Sequence, residues 1–433
     1  MNRSAPVRAA SLAALVLASA CTDLSPRPSS RAVAALTAEL MPAQAEAHPA
    51  PPAPPPPAAR PRDRAPRIIR GIYVSAYAAG NPVRRASLLA LTDSTELNAW
   101  VVDAKDEDGV RYHSALPLAR EASHWGSIPV RDLKVLVDTL RAHGIHPIAR
   151  VVVFKDPRLS RARPDWSVRT PQGALWRDHQ KVSWVSPWDR RVWEYNIAVA
   201  EEAARAGFRE IQFDYVRFPE AYRSLPTQVH PAARGERGDA IAAFLDEARR
   251  RLHPLGVTVT ADVFGLSPAE SKDVGIGQQW EQLSSRADGL LPMVYPSHFF
   301  ASHLPGVSRP NRMPYETVFR SVGMGVVRNQ RLAAAGAEPA RIMPWLQAFT
   351  WKDRAYRYGP QQAAEQIRAV HDLGLEDWIF WHPGSRYDEV AAAFQRETTS
   401  RARPFKAPAV VMRSVDRFDR EGAAAMREAA AGQ

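Results

Sequence analysis

From Arg67 onward, short apolar runs typical of strands alternate with longer segments typical of amphipathic helices, and no other feature limits the fold as strongly. The eight predicted strands are, in chain order, residues 68–75, 99–105, 147–154, 210–218, 257–264, 289–295, 342–349 and 378–382. The predicted helices between them are residues 86–96, 130–143, 190–206, 239–252, 277–285, 315–335 and 361–373. Several of these helices are followed by a glycine, as helix C-termini commonly are.

Regular alternation of strand and helix is typical of an α/β fold with a parallel sheet. Eight such units predict a single (β/α)8 TIM barrel with long βα loops, spanning residues 67–398. An open, doubly wound sheet is the structural alternative. The glycine-rich G-x-G-x-x-G sequence of dinucleotide-binding sheets does not follow the first strand, which disfavours that alternative.

The first 20 residues are typical of an export signal. Arg3 and Arg8 precede a short apolar run that ends in the sequence Leu-Ala-Ser-Ala-Cys at Cys21. The run is too short for a permanent membrane span. Residues 1–20 are therefore predicted to be a lipoprotein-type signal peptide, with Cys21 as the lipidated membrane anchor. An ordinary secretory peptide with an incidental cysteine is the alternative, and both place the protein in the cell envelope or outside the cell.

Composition changes on both sides of the predicted barrel. Residues 21–66 are rich in Pro, Ala and Arg and predict a disordered tether with polyproline II character. Residues 399–433 are an Arg/Ala-rich tail that favours a helix. The formal net charge is +11, but no run of five or more like charges occurs, so no nucleic-acid partner is predicted. The chain is expected to be a monomer.

The stretch Glu-Ile-Gln-Phe-Asp-Tyr-Val-Arg-Phe-Pro-Glu at residues 210–220 is the strongest motif for a functional site. Strand residues alternate between two faces, so Gln212 and Asp214 lie on the face opposite their apolar neighbours. Pro219 ends the strand, because proline lacks the N–H that a ladder needs. Barrel enzymes keep their chemistry at the carboxyl ends of strands. The alternative is that Asp214 caps a helix or anchors an arginine.

The face that Asp214 defines carries polar or charged side chains on most of the other strands as well. These residues are Asp103, Lys105, Arg150, Asp262, Tyr295, Gln347 and, on the last strand, either Trp381 or His382. A structural barrel interior is filled with Val, Ile and Leu, and buried charges are costly unless they are paired. We therefore predict one functional site at the carboxyl ends of the strands.

Carboxylates are the catalytic groups that the sequence offers. It has no Gly-x-Ser-x-Gly elbow, no cysteine besides Cys21, no His-Glu-x-x-His motif and no phosphate-binding loop. Asp214 and Asp262 are on neighbouring strands, about 4.8 Å apart. Their carboxyl groups are thus expected roughly 5–6 Å apart, the spacing of retaining glycoside hydrolases. We predict Asp214 and Asp262 as the catalytic pair, and no cofactor or metal.

The remaining polar residues are predicted to bind substrate. Asp103, Lys105 and Arg150 would orient the carboxylates or bind sugar hydroxyls, and Tyr295, Gln347 and His382 would line the subsite. A tryptophan-rich loop follows the third strand, and its Trp176 and Trp184 are predicted to stack on pyranose rings. Packing within the loop is the alternative for both indoles.

Residues 71–75, 97–106, 149–156, 184–187 and 211–219, which include the specific motif Phe-Asp-Tyr-Val-Arg-Phe-Pro, resemble a bacterial family of glycoside hydrolase domains of unknown function. That family belongs with the amylase-like TIM-barrel glycosidases, and the resemblance covers about residues 68–390. It implies a barrel, export and carbohydrate chemistry. By analogy, Asp214 matches the nucleophile of the fourth strand. The acid of the fifth strand is usually glutamate there, whereas this chain has Asp262.

The sequence thus predicts an exported, lipid-anchored glycoside hydrolase that cleaves an envelope or extracellular polysaccharide. A non-catalytic glycan-binding protein on a degenerate TIM barrel is the alternative, and it would not need Asp214 ionised beside an acid. A polysaccharide deacetylase would need a metal, and the histidines and aspartates lack the spacing of metal ligands.

Overall fold

The computed structural model describes residues 68–123, 128–351, 356–395 and 401–431, with side chains described through Glu421. The predicted signal peptide, Cys21 and the predicted tether lie outside the described residues. Within the described part of the chain, no helix is long and apolar enough to cross a membrane.

A ten-stranded sheet forms the centre of the molecule. Its strands are β1 (Arg70–Val74), β2 (Ala99–Asp106), β3 (Gly109–Val110), β4 (His146–Val152), β5 (Glu210–Asp214), β6 (Thr258–Phe264), β7 (Gly289–Met293), β8 (Arg341–Ile342), β9 (Trp345–Gln347) and β10 (Trp378–Trp381). All pairings are parallel except that of β3 with the end of β2. Because β1 pairs with both β2 and β10, the sheet closes on itself.

The closed sheet has eight positions, in the order β1, β2, β4, β5, β6, β7, β8 with β9, and β10. The prediction of a (β/α)8 TIM barrel is therefore confirmed for the described residues. The seventh predicted strand is split into β8 and β9. Met343 and Pro344 separate the two pieces, and a proline has no N–H to donate to the ladder.

Helices follow the strands and surround the barrel. They are α1 (Ala76–Gly80), α2 (Pro82–Ser94), α3 (Pro117–Glu121), α4 (Leu133–Ala142), α5 (Pro157–Ala162), α6 (Arg190–Ala206), α7 (Arg237–Leu252), α8 (Trp280–Ser284), α9 (Pro314–Ala334), α10 (Pro360–Asp372) and α11 (Ala409–Ala431). Local sequence explains their bounds. For α6, the Asp189 side chain accepts from the N–H of Arg191, and Gly207 ends the helix at a φ of 111°.

The apolar core lies between the outer face of the barrel and the helices. Phe213 of β5 packs edge-on against Phe244 of α7, with ring centroids 5.0 Å apart. Side chains alternate across a strand, so Gln212 and Asp214 point into the barrel while Phe213 points out. The alternation thus separates an apolar exterior from a polar interior.

The C-terminal helix α11 lies against α9. Its Val411, Val415 and Phe418 are buried, and Arg331 of α9 pairs with Asp416 and Asp419. The predicted helical tail therefore packs on the barrel domain in this structure.

Candidate active site

Asp214 and Asp262 lie at the same level on neighbouring strands. The register pairs Gln212 with Thr260 and Phe213 with Ala261, so Asp214, the next residue of β5, is level with Asp262 on β6. Both side chains point into the barrel and are buried, with exposed fractions of 6% and 1%. Parallel neighbours run about 4.8 Å apart, so the fold brings the two carboxyl groups together at the carboxyl end of the barrel.

Arg150 on β4 holds Asp214 with two donors. Its Nε and Nη2 donate to Oδ2 of Asp214 at 2.9 and 2.6 Å, and its Nη1 donates to Oδ1 of Asp103 at 2.6 Å. Burial lowers the pKa of Arg150, but the charges of Asp214 and Asp103 outweigh it and leave the pKa well above its ordinary value. The guanidinium therefore stays charged and fixes the orientation of Asp214.

Tyr215 supplies the donor to the second oxygen of Asp214. Its backbone N–H lies 2.6 Å from Oδ1, and its φ is 49°, a left-handed conformation that is costly for a residue with a side chain. The Tyr215 ring lies edge-on to Trp184 at 5.8 Å and under the ammonium of Lys155 at 4.8 Å. These contacts hold the strained residue in the conformation that directs its N–H at the carboxylate.

Asp262 has no cation at ion-pair distance among the described residues. Its Oδ1 accepts from Nε2 of Gln212 at 2.5 Å and from Nε1 of Trp345 at 2.6 Å. Burial, and then the negative charge of Asp214, raise the pKa of Asp262 well above its ordinary value. The two hydrogen bonds and the charge of Arg150 offset only part of this. Asp262 therefore keeps its proton at a pH where an ordinary aspartate has lost it.

Asp103 is held from two sides. Besides accepting from Arg150, it accepts from the hydroxyl of Tyr73 on β1 at 2.6 Å. Burial, and then the charge of Asp103, raise the pKa of Tyr73 well above its ordinary value, so the phenol stays protonated and donates. Tyr73, Asp103, Arg150 and Asp214 thus form a continuous chain of hydrogen bonds across four neighbouring strands.

Lys105 does not lie on the same face as Asp103, and that prediction was wrong. The register pairs Asp103 with Arg150 but Lys105 with Val151, so Ala104 is an extra residue and β2 has a bulge. The bulge turns Lys105 outward, where its Nζ pairs with Asp156 at 2.7 Å and is fully buried. Lys105 therefore connects the strand to the start of α5 and is not available to a sugar in the barrel.

The same bulge brings Asp106 to the inner face. Burial, and then the charge of Asp103, raise the pKa of Asp106 to about 7. Arg111 lies 3.3 Å away, and the N–H of Asp108 donates to the other oxygen at 2.8 Å. Asp106 is thus a third titratable carboxyl group near the site.

Trp381, and not His382, holds the inward position on β10. The register places Ile379 beside Trp345 and Trp381 beside Gln347, and Trp345 points at Asp262. Trp381 stacks on Tyr295, with ring centroids 5.1 Å apart and planes 30° apart. His382 follows the strand, and its Nδ1 accepts from the N–H of Gly384 at 3.0 Å.

Gln347 is fully buried, and its two polar atoms bond to backbone groups. Oε1 accepts from the N–H of Ser297 at 3.0 Å, and Nε2 donates to the carbonyl of Phe349 at 2.8 Å. Gln347 therefore fixes the loops that follow β7 and β9, and the predicted direct contact with substrate is replaced by a positioning role.

Trp176 and Trp184 do not present a face to solvent. Their exposed fractions are 0% and 2%. Nε1 of Trp176 donates to the carbonyl of Pro226 at 2.8 Å, and Nε1 of Trp184 donates to Asp178 at 3.0 Å. As placed here, both indoles pack within their loop, because a buried ring leaves no room for a pyranose to stack.

Sequence reasoning missed Tyr73, left Trp381 and His382 as alternatives, and did not place Asp106 on the inner face. Tyr73 is one of the residues of β1 that point into the barrel, and it could have been found by applying the alternation to the first strand. The inward direction of Asp106 depends on a bulge, and the choice of Trp381 over His382 depends on the register between β9 and β10, so neither could be predicted from alternation.

The arrangement combines one carboxylate fixed by a permanent cation with one carboxyl group that retains its proton. Pairs of acids whose pKa values are pushed apart are typical of sites that need an acid and a nucleophile together. Among the described residues, no group of three or more His, Cys, Asp or Glu side chains is placed to hold a metal ion.

Several solved structures resemble this chain. A hypothetical protein from Ruminiclostridium thermocellum ATCC 27405 is 37% identical, covering 44% of this chain and 97% of that one, with a TM-score of 0.40. The PgaB (BpsB) glycoside hydrolase domain from Bordetella bronchiseptica is 14% identical, covering 76% and 99%, with a TM-score of 0.54, a likeness that shows the fold alone. The glycoside hydrolase domain of PelA from Pseudomonas aeruginosa is 12% identical, covering 76% and 99%, with a TM-score of 0.42.

Among curated proteins, none has significant sequence similarity to this chain. A family assignment is nevertheless clear, because the match spans all eight positions of the barrel. Residues 71–387 match the family described as "Putative glycosyl hydrolase domain". This match covers well over half of the sequence, and the chain belongs to that glycoside hydrolase family.

Proposed function

We propose that the protein is a retaining glycosidase in which Asp214 is the nucleophile and Asp262 is the general acid and base. The observation that carries this proposal is that the two carboxyl groups, which lie at the same level on neighbouring strands, have different hydrogen-bond donors. Asp214 receives three donors, two of them from the partly buried cation of Arg150, whereas Asp262 receives two uncharged donors. One group is thus stabilised as an anion and the other as an acid.

In the first step, Asp214 attacks the anomeric carbon while Asp262 gives its proton to the glycosidic oxygen. The bond from the anomeric carbon to that oxygen breaks, and an ester between the sugar and Asp214 forms. Arg150 and the N–H of Tyr215 hold the attacking carboxylate in one orientation, so little reorganisation is needed when the bond forms.

In the second step, Asp262 takes a proton from water, and the resulting hydroxide attacks the anomeric carbon and releases Asp214. The charge of Asp214 is one cause of the raised pKa of Asp262. Esterification removes that charge, so the pKa of Asp262 falls when the intermediate forms. The same residue is therefore an acid in the first step and a base in the second.

We further propose an envelope or extracellular polysaccharide as substrate, with the enzyme exported and anchored through Cys21. The support is the charged and apolar pattern of residues 1–20 and the Pro-rich segment at residues 21–66. Cys21→Ser should move the protein from the membrane fraction to the soluble fraction. A wild-type protein that is already wholly soluble would overturn the anchor.

The test of the function is the release of new reducing ends from a panel of bacterial and plant polysaccharides. Asp214→Asn keeps the shape of the side chain but removes the attacking charge, and should lower kcat by about 10⁴-fold or more, as loss of other covalent nucleophiles does. Glycan binding should survive. Asp165→Asn is the matched control, since Asp165 is 62% exposed and pairs with Arg191 at the surface. Its activity should equal that of wild type.

Two outcomes would contradict the proposal. If wild type releases no reducing ends but binds glycans, and Asp214→Asn binds them equally well, the protein is a non-catalytic glycan-binding barrel. If Asp214→Asn unfolds while Asp262→Asn retains full activity, Asp214 is a structural anchor for Arg150, and the assigned mechanism is wrong.

A further inference from the structure

Aromatic rings from three neighbouring loops meet beside the two acids. Tyr295 and His298 follow β7, Phe349 and Trp351 follow β9, and Trp381 ends β10. We call these five residues the aromatic arc. Nothing in the proposed mechanism requires them, and the loops that carry them are separate in sequence.

The rings of the aromatic arc touch one another in a continuous chain. Tyr295 stacks on Trp381 at 5.1 Å, and Trp381 meets Phe349 edge-on at 5.1 Å. Phe349 meets Trp351 at 6.5 Å, and Trp351 stacks on His298 at 5.9 Å with planes 27° apart. Tyr295 and Phe349 are buried, whereas Trp351, Trp381 and His298 remain partly exposed. The arc therefore has a buried base and a partly exposed rim.

The arc borders the reacting pair. The charges of Asp262 and Asp214, after burial, raise the pKa of Tyr295 well above its ordinary value, so the phenol lies within electrostatic reach of both acids and stays protonated. The Tyr295 hydroxyl makes no hydrogen bond with the described part of the chain, and it is free to donate to a ligand oxygen. Trp345, on the strand that leads to Phe349, donates directly to Asp262.

The arc consists of aromatic and imidazole rings. It contains no Asp, Glu, Lys or Arg, and burial followed by the charge of Arg386 lowers the pKa of neighbouring His382 to about 4, so that imidazole is neutral at pH 7. Because the arc presents aromatic faces, it favours a ligand with an apolar face, and the C–H faces of a neutral pyranose supply one. The arc offers a charged sugar no carboxylate, ammonium or guanidinium partner, so it disfavours burial of such a charge.

The arc is also rigidly supported. The Gln347 side chain joins the N–H of Ser297 to the carbonyl of Phe349. Its backbone N–H is also held, because it donates to Oε1 of Gln366 at 2.8 Å. These bonds fix the two loops relative to each other. A preformed surface loses less conformational entropy when it binds.

We propose that the aromatic arc binds the leaving-group sugar, an uncharged pyranose ring, on the Asp262 side of the bond that is cut. Strand order gives the side, because β6, which carries Asp262, lies between β5, which carries Asp214, and β7, which leads to Tyr295. The general acid contacts the leaving oxygen, so the ring attached to that oxygen lies beyond Asp262. This inference rests on the proposed function.

The test compares substrates that differ only in what leaves. Cello-, malto-, xylo- and chitohexaose each carry a leaving-group sugar, whereas the corresponding fluorides of β- and α-glucose, xylose and N-acetylglucosamine release only fluoride. Trp381→Ala should lower kcat/KM by about 10- to 100-fold on the hexaose that wild type cleaves, because binding of the leaving-group sugar is weakened by about that factor. It should change fluoride hydrolysis less than about threefold.

Trp381→Phe should retain most of the hexaose activity, because it keeps an aromatic face. Trp166→Ala is the matched control. Trp166 is also partly buried, but it lies between the guanidinium groups of Arg163 and Arg191 at 5.7 and 5.0 Å, away from the arc. It should change neither rate. Equal losses on the hexaose and the fluoride, or no loss on either, would overturn the assignment of the arc to the leaving group.

Failure of the proposed function gives a different result. Wild type would then cleave neither hexaoses nor fluorides. Calorimetric titration of the four hexaoses would still test whether the arc binds sugar. Tighter binding to wild type than to Trp381→Ala would retain the arc as a sugar site. Equal affinity, or no binding to wild type, would overturn it.

Discussion

The two halves of the barrel mouth differ in what holds them together. Strands β2, β4, β5 and β6 carry Asp103, Arg150, Asp214 and Asp262, which we call the charged half. The aromatic arc lies on the loops that follow β7 and β9 and at the end of β10. In the charged half, each ionised group is fixed by short hydrogen bonds, such as those of Arg150 at 2.6 to 2.9 Å. In the arc, contacts are between rings, and polar groups are sparse.

The difference follows from the cost of burial. A buried charge is tolerated only when partners satisfy it, so the charged half has one permitted arrangement. Aromatic packing is not directional to the same degree, and a ring can lose a neighbour without leaving an unpaired charge. Changes in the charged half should therefore affect the chemistry steeply, whereas changes in the arc should affect binding of one part of the substrate.

After Asp214→Asn, the largest effect is expected for Asp262→Asn. Loss of a general acid costs on the order of 10²- to 10⁴-fold in rate, so kcat/KM for a polysaccharide should fall by about 10³-fold. Fluoride leaves without needing a proton, so hydrolysis of a glycosyl fluoride should fall much less. Steady-state rates on the two substrates measure this directly, and an equal loss on both would show that Asp262 is not the acid.

The same variant should also be more stable than wild type above neutral pH. The pKa of Asp262 is raised in the folded state, so between its ordinary value and the raised value only the folded protein holds the proton. Wild type therefore loses stability as pH rises through the raised pKa, and the asparagine does not. Thermal unfolding at pH 8 and pH 4 should show a gain for Asp262→Asn at pH 8 and little difference at pH 4.

A smaller effect is expected for Arg150→Lys. Lysine keeps the charge but cannot give two donors to Asp214 and a third to Asp103, so kcat should fall by about 10²-fold with a modest loss of stability. Arg158→Lys is the matched control, because Arg158 pairs with the half-exposed Asp108. If both variants keep wild-type kcat, the geometry around Asp214 does not depend on Arg150.

Trp176→Ala should show that the loop tryptophans contribute to stability, in contrast to the sugar binding proposed for those of the arc. Removing a fully buried indole costs about 3–5 kcal/mol, so chemical denaturation should show a large loss of stability. Glycan affinity of the protein that remains folded should be unchanged. Weaker affinity with unchanged stability would mean that Trp176 contacts sugar after all, and that the loop opens.

The smallest effect is expected for Asp106→Asn. The pKa of Asp106 is about 7, so wild type carries this charge at pH 8 but not at pH 5. The variant should match wild type at pH 5 and differ from it by less than about tenfold at pH 8. Profiles of kcat/KM against pH should lose one ionisation near neutrality. An unaltered profile would show that Asp106 does not influence the reacting pair.

Much of the fold could be predicted because its signals are local. The observed strands overlap all eight predicted ones, since each is an apolar run bounded by a turn or a proline. Within the site, Asp103, Arg150, Asp214 and Asp262 were predicted to share one face, and hydrogen bonds link them in pairs across neighbouring strands. Gln212, which shares the face of Asp214, provides the link to Asp262.

Predictions failed where a side chain's direction depends on a neighbouring strand or loop. Strict alternation put Lys105 inside, but the bulge at Ala104 reverses the direction of every residue that follows on β2. The sequence shows that Trp176 and Trp184 belong to a long loop but not that the loop folds onto itself and buries them. Nothing local separates an indole that stacks on a ligand from one that packs on a carbonyl.

The sequence by itself determined the barrel, the strand ends on which acids lie and the presence of two carboxyl groups on adjacent strands, because alternation and strand order are properties of the chain. Tertiary structure alone decided which acid receives the cation, which carboxyl group keeps its proton and where the aromatic rings gather. These outcomes depend on distances between strands that are far apart in sequence: Arg150 is 64 residues from Asp214, and Trp345 is 83 residues from Asp262.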